Sequence, residues 1–313
     1  MSSNLRVGVV GVGYLGKFHA RIYSEMDGVD LVGVVDSDKD TADEIASQYG
    51  TQGYTDYHEL LGKVDAINIV VPTTLHLEVA RPFLEQGVHM LMEKPIATTI
   101  EEGEKLVKLA DEAGVVFQVG HLERYNSGLQ ALIDRMQGAP TFIEVHRLGT
   151  FVERATDVDV ITDLMIHDID IVGALMGVPA KKVDASGSAV LTDHVDIANA
   201  RIEFENGAVA NVTASRVSNK RFRRIRVFAK KQYYSLDFAE QQLEVVTAGD
   251  VDPDTGRPAI EQQKLDIEPQ PPLDAELADF IDAVRNKRKP LVDGHTGLEA
   301  LRMAFKIKES IGS

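Results

Sequence analysis

The stretch Leu5–Ala20 reads LRVGVVGVGYLGKFHA, and it leaves little freedom in how the first third of the chain folds. Val7, Val9 and Val10 form a short apolar run of the kind buried in a parallel sheet, after which the chain turns through Gly11, Gly13 and Gly16. A G-x-G-x-x-G set between a strand and a helix has a mechanical logic. Gly11 permits the tight turn, Gly13 lets backbone approach a pyrophosphate, and Gly16 lets the helix lie close to the strand. The helix opening near Tyr14 and Leu15 then aims its N–H groups and positive dipole end at the phosphates. A second apolar run, Leu31–Val35, ends in Asp36, about 20 residues beyond the last glycine, where a ribose-binding carboxylate is expected. A carboxylate accepts hydrogen bonds from both ribose hydroxyls and repels a 2′-phosphate. NAD is therefore the expected cofactor, with NADP left open.

Beyond this stretch, apolar runs and helical patterns alternate. Strands are expected at 5–10, 31–35, 65–71, 88–92 and 115–119, with helices at 14–26, 39–48, 56–62, 75–86 and 100–113 between them. Such alternation implies parallel strands joined by right-handed crossovers. Ligands bind outside the carboxyl ends of such strands, which singles out Gly11, then Pro72-Thr73-Thr74, then Glu93-Lys94-Pro95.

From about residue 121 the pattern changes. Helices are expected at 123–136 and 163–176, and strands at 141–148, 183–190, 197–204, 208–215, 224–229, 233–238 and 243–247. The Asn206-Gly207 pair marks a hairpin. Residues 249–272, rich in Asp, Pro and Gln, read as a long loop, followed by helices at 274–287 and 295–311. The expected fold is α/β: an N-terminal Rossmann doubly wound parallel sheet over 1–121, then an α+β domain with a large, mainly antiparallel sheet over 122–313.

A chain of 313 residues suits two such domains. With no cysteine it forms no disulfide and no thiolate metal site, and a reducing cytoplasm is the expected setting. No 18-residue apolar run and no secretory leader pattern is visible, so no membrane partner is expected. A net charge of −16 disfavours nucleic acid. One basic stretch, Lys220–Lys231, places seven positive charges in twelve residues. Its alternation reads as a solvated or intersubunit strand, or as one whose Arg221, Arg223, Arg224 and Arg226 meet an anionic substrate group such as a diphosphate.

Lys94, in MEKPIA, follows a buried strand directly, an unusual place for a lysine, and lies where the nicotinamide end of a dinucleotide is expected. Its ammonium can donate to a substrate hydroxyl and stabilise alkoxide character. Asp163 and His167, in TDLMIHDIDI, stand one helical turn apart on one face, and such a carboxylate can orient a proton-accepting imidazole. His121 and Asn126, in GHLERYN, lie past the last Rossmann strand and are candidates for substrate contact or for structural caps. His76 opens a helix after the fourth strand and is a candidate for a cap, a cofactor-side contact or a catalytic duty. No G-x-S-x-G elbow is present, and the HDID cluster lacks a third ligand at fixed spacing, so no metal is expected.

GVGYLG, Asp36, EKP and the Asp163/His167 pair together resemble the glucose-fructose oxidoreductase / inositol dehydrogenase / MocA family over nearly the whole chain. The resemblance implies catalytic roles for Lys94, Asp163 and His167. Together with the strand-end reading above, cofactor contacts are expected from Gly11, Gly13, Tyr14, Leu15, Gly16, Asp36, Pro72, Thr73, His76, Glu93 and Lys94, and substrate contacts from Lys94, His121, Asn126, Asp163 and His167. A homo-dimer or homo-tetramer is implied as well. The segments DVDVITDLMIHDIDIV and GHLERYN are similar to a bacterial branch associated with nucleotide-sugar oxidation, including UDP-N-acetylglucosamine 3-dehydrogenases. The expected activity is NAD-dependent oxidation of a secondary hydroxyl of a sugar or nucleotide sugar. Two rivals are a non-catalytic dinucleotide or sugar sensor on the same fold, and reduction of an imine or tetrapyrrole double bond.

Overall fold

The computed structural model describes residues 4–151 and 158–312, and the chain divides into two compact units. The first comprises Met1–Leu122 and Leu273–Leu301. Its strands are β1 (Leu5–Val10), β2 (Val29–Val35), β3 (Gly53–Tyr54), β4 (Ala66–Ile69), β5 (His89–Glu93) and β6 (Phe117–Gly120). They pair in parallel in the order β3-β2-β1-β4-β5-β6. The crossovers carry α1 (Gly16–Glu25), α2 (Lys39–Tyr49), α3 (His76–Glu85) and α4 (Ile100–Ala113). The chain winds outward on both sides of β1, so the switch point lies beside β1 at Gly11, where a doubly wound sheet opens a crevice.

Local chemistry sets the helix starts. Asp38 caps α2 by accepting from the N–H groups of Asp40 and Thr41. Thr99 caps α4 by accepting from Glu102 N–H. The expected helix at 56–62 is instead a single 3₁₀ turn, Tyr57–Leu60, started by Asp56. The short β3 ahead of it carries too few residues to show a period.

The closing stretch was expected to belong wholly to the second domain, yet its helix α7 (Pro272–Asn286) completes the first unit. Leu277, Phe280, Ile281 and Val284 pack with Val7, Val9, Tyr23, Val34 and Leu91 in one buried cluster.

The second unit comprises Glu123–Pro272 and Arg302–Ser313. Its eight-stranded sheet runs β14-β13-β12-β11-β7-β10-β9-β8. In chain order these are β7 (Pro140–Leu148), β8 (Ala180–Ser188), β9 (Ile197–Phe204), β10 (Val209–Ser215), β11 (Phe222–Ala229), β12 (Gln232–Asp237), β13 (Gln242–Val251) and β14 (Pro258–Asp266). All pairs are antiparallel except β7 with β10. Ile143, Val145, Ala210, Val212, Ile225 and Val227 line the buried face. Against this sheet pack α5 (Ser127–Arg135) and α6 (Ile166–Met176). The last helix, α8 (Gly294–Gly312), begins in the first unit and ends in the second.

Two expectations change here. The helix foreseen at 123–136 is a 3₁₀ turn, Leu122–Tyr125, followed by α5, because Asn126 breaks the run and caps the later helix. The loop foreseen at 249–272 is largely a hairpin. Asp252 accepts from the N–H groups of Asp254 and Thr255, closing the turn between β13 and β14. β14 is exposed on both faces, so its sequence has no apolar alternation to display.

Candidate active site

The turn after β1 has the strict geometry its glycines require. Gly11 has φ +85°, and a Cβ there would meet the Val70 carbonyl oxygen at 2.5 Å. A Cβ on Gly16 would sit 1.8 Å from the Gly11 carbonyl oxygen, so the helix could not approach the turn. Gly13 differs: nothing lies within 4 Å of where its Cβ would be, which leaves backbone facing open space at the sheet's switch point. Tyr14 is exposed and Leu15 half-buried beside it. Asp36 is locked in place, its Oδ2 accepting from Val12 N–H at 3.0 Å and its Oδ1 from Asp38 N–H at 3.1 Å. A carboxylate has lone pairs to spare beyond these two bonds. An open glycine, a helix N-terminus and a fixed strand-end carboxylate together fit a dinucleotide.

The ends of β4 and β5 complete this edge. Pro72 is exposed and Thr73 half-buried in a 3₁₀ turn, Thr73–Leu75, that leads into α3. His76 is buried, its Nδ1 3.2 Å from the Ile96 carbonyl oxygen and its Nε2 3.1 Å from that of Val71. Burial lowers its pKa, and the neutral ring has a single N–H, so it donates to one of these two carbonyls and packs beside the other, between the loops after β4 and β5. Glu93, the last residue of β5, lies against Gly120 of β6, where a Cβ would stand 3.1 Å from the carboxyl. Its Oε1 is 3.4 Å from His19 Nε2. Half-buried Lys94 follows at once, before a cis peptide to Pro95. His121 is fully buried directly after β6.

In the second unit, Asp163 lies in a π-helical turn, Ile161–Met165, that runs straight into α6 and His167. Single π turns of this kind recur at functional sites. Both side chains are half-buried. The entry to this segment is fixed: Asp159 accepts from Thr162 N–H at 2.9 Å and pairs with Lys308 at 2.8 Å. Arg216, paired with fully buried Asp196 at 2.7 Å, donates to the Val158 carbonyl at 2.7 Å.

Two aspartates of α6 are held by charge. Asp168 receives a bidentate pair from Arg147, with both bonds at 2.8 Å, and Arg124 reaches Asp170 at 3.2 Å. Arg147 also meets Glu123 at 3.2 Å, and Glu123 in turn pairs with Arg223. The alternating charges of IHDIDIV thus divide, with Asp168 and Asp170 bound in the interior. Asn126 is likewise occupied, its Oδ1 accepting from the N–H groups of Gly128 and Leu129 as the cap of α5.

The basic strand resolves by the same alternation. Arg223 turns inward to Glu123, while Arg224 pairs with Asp237 and Arg226 with Glu144 on the other face. Among the described residues no cluster of three or more His, Asp or Glu is arranged to hold a metal ion. None of the described helices is long and apolar enough to cross a membrane.

Sequence reasoning passed over Arg147, Glu123 and Arg124, because an arginine inside a strand shows its purpose only when its partner is placed. It also passed over Asn68 and Glu276, although an asparagine inside the run AINIVV was a visible irregularity.

Comparison with known proteins agrees with this architecture in both units. The profile described as "Oxidoreductase family, NAD-binding Rossmann fold" matches residues 5–121, and that of the GFO/IDH/MocA C-terminal domain matches 130–235. The chain is 37% identical over 310 residues to UDP-N-acetylglucosamine 3-dehydrogenase of Acidithiobacillus ferrooxidans, covering 98% of this chain and 97% of that protein. It is 31% identical over 247 residues to the NAD-dependent scyllo-inositol 2-dehydrogenase of Bacillus subtilis, covering 70% and 69%. A solved structure of the Acidithiobacillus ferrooxidans enzyme superposes with a TM-score of 0.91 at 36% identity, over 98% of each chain. The protein therefore belongs to the GFO/IDH/MocA family of NAD-binding oxidoreductases.

Proposed function

We propose that this enzyme oxidises a secondary hydroxyl of a nucleotide sugar, the 3-hydroxyl of UDP-N-acetylglucosamine in particular, with NAD as hydride acceptor. The observation that carries this reading is the 37% identity to a UDP-N-acetylglucosamine 3-dehydrogenase, sustained over 98% of the chain and so over both units. When bound, the nicotinamide supplies the hydride chemistry. Gly11, Gly13, Tyr14, Leu15 and Gly16 hold the pyrophosphate, and Asp36 holds the adenosine ribose. Pro72, Thr73, His76 and Glu93 shape the nicotinamide end, His76 and Glu93 acting through the loops they fix.

Lys94 donates to the substrate oxygen, His167 removes its proton, and Asp163 orients the imidazole. His121 and the Asn126 segment border the substrate. Asp36 favours NAD over NADP because its fixed carboxylate would face a 2′-phosphate. The half-exposed aromatic face of the second unit's sheet, with Phe142, Phe228 and Tyr233 in ring contact, suits a homo-dimer or homo-tetramer.

The test is NADH absorbance on mixing the protein with NAD and UDP-N-acetylglucosamine, UDP-glucose or scyllo-inositol. Formation with the acetylated UDP-sugar is expected. Formation with inositol alone would move the substrate to the polyols, and none with any sugar would favour the sensor reading. Lys94→Ala should cut turnover by about a thousandfold, the scale of a lost electrostatic stabiliser, while NADH still binds in a fluorescence titration.

A further inference from the structure

The π turn Ile161–Met165 fits one residue more into its turn than an α-helix does, and such turns persist mainly as single insertions within α-helices. To relax into α geometry, its leading end need only slip along the chain. That slip rotates Asp163 about the helix axis relative to His167 on α6. The three residues just ahead of the turn, Val158, Asp159 and Val160, are each clamped against it. Val160 N–H donates to the Val195 carbonyl at 2.9 Å, and Asp159 is bound by Lys308 and Thr162. The Val158 carbonyl accepts from Arg216 Nη1 at 2.7 Å.

Arg216 lies just past β10, and Asp196 just before its neighbour β9. Arg216 Nε donates to Asp196 Oδ1 at 2.7 Å, and its Nη2 donates to Thr192 Oγ1 at 3.0 Å. Asp196 is fully buried, and its Oδ2 accepts from the N–H groups of Val190, Leu191 and Thr192 at 2.8, 2.6 and 2.9 Å. The Thr192 hydroxyl donates to Oδ1 at 2.8 Å. Burial by itself raises the pKa of such an acid, but the three N–H groups and the guanidinium outweigh it and hold Asp196 well below the ordinary carboxylate range.

A buried ion pair is a weak source of stability, because desolvation offsets the attraction. This one does more than pair two charges. Each guanidinium nitrogen of Arg216 reaches a different place: the start of β9, the loop after β8, and the entry to the π turn. A planar fork held at two corners fixes the direction of the third.

We propose that Arg216, fixed by Asp196 and Thr192, is a positioning residue for the reaction: its grip on the Val158 carbonyl keeps the π turn from relaxing and so sets Asp163 against His167. The inference rests on the roles given to Asp163 and His167 in the proposed function.

Arg216→Ala should lower kcat by about a hundredfold, the scale of a group misplaced by about an ångström, while KM for NAD and for UDP-N-acetylglucosamine changes by less than about threefold. With UDP-N-acetylglucosamine deuterated at carbon 3, the isotope effect on kcat should rise, since chemistry rather than product release then limits turnover. Ethylguanidinium added to Arg216→Ala should restore kcat several-fold, and ethylammonium should not, because only the planar fork spans Thr192 and Val158. Unchanged kcat, or a fall without a larger isotope effect or guanidinium rescue, would leave the pair purely structural and overturn the positioning role.

Should Arg216→Ala fail to fold, Thr192→Val removes one bond of the cluster without stranding either charge. Its kcat should fall several-fold and Thr192→Ser should keep the wild-type value, whereas a silent Thr192→Val would refute the inference. His167→Ala separates this inference from the reading beneath it. Wild-type turnover in His167→Ala would remove the proton acceptor and the inference with it, while an inactive His167→Ala beside a fully active Arg216→Ala would overturn the role of Arg216 alone.

Discussion

Asp36 is the side chain on which the proposed preference for NAD rests. Two backbone N–H groups hold its carboxylate still, so it cannot swing away from a 2′-phosphate. Asp36→Ser should lower the NAD-over-NADP preference in kcat/KM by about tenfold to a hundredfold, on the scale of one lost repulsion and one lost bidentate contact. An unchanged ratio would mean that discrimination lies elsewhere. At this scale the sequence was readable wherever spacing alone dictates backbone geometry: the glycines, Asp36 at the end of its strand, and Lys94 directly after its strand. It was opaque wherever a residue's meaning depends on a partner remote in the chain. Asn126 read as either a substrate contact or a structural cap and is the cap of α5, and Glu276 drew no attention in a helix that only the fold shows to be buried.

Among elements, α6 is the most informative, because two buried ion-paired aspartates and the proposed proton acceptor His167 lie on the same eleven residues. Breaking one buried ion pair strands its partner. Asp168→Asn leaves the Arg147 guanidinium without its bidentate acceptor and should cost about 3–5 kcal/mol, measurable by urea unfolding. Replacing both partners by Met and Leu should restore most of that stability. Turnover should remain depressed, since α6 would no longer be held in one register for His167. A double variant with full turnover would show that the pair serves stability alone. The period of 3.6 revealed α6 from sequence, but not the π turn before it, which inserts no distinctive residue type. The exposed β14 was missed for a related reason: it answers to backbone pairing with β13, and backbone carries no sequence signature.

For the molecule as a whole, the eight-stranded sheet presents Phe142, Phe228 and Tyr233 on the face opposite its helices. A second copy is the proposed cover, so Phe142→Glu with Phe228→Glu should halve or quarter the mass found by light scattering while leaving far-UV dichroism unchanged. A wild-type monomer would end that proposal. The first unit, meanwhile, borrows its last core residues, Leu277, Phe280, Ile281 and Val284, from far down the chain. A protein truncated after Pro272 should show near-complete amide exchange in β1 and α1 within minutes, whereas the full chain protects them. On the ribosome, then, β1 and α1 must wait, since the nucleotide fold cannot close until α7 has been translated. Any chaperone that meets the nascent protein will find bare valine strands during that interval.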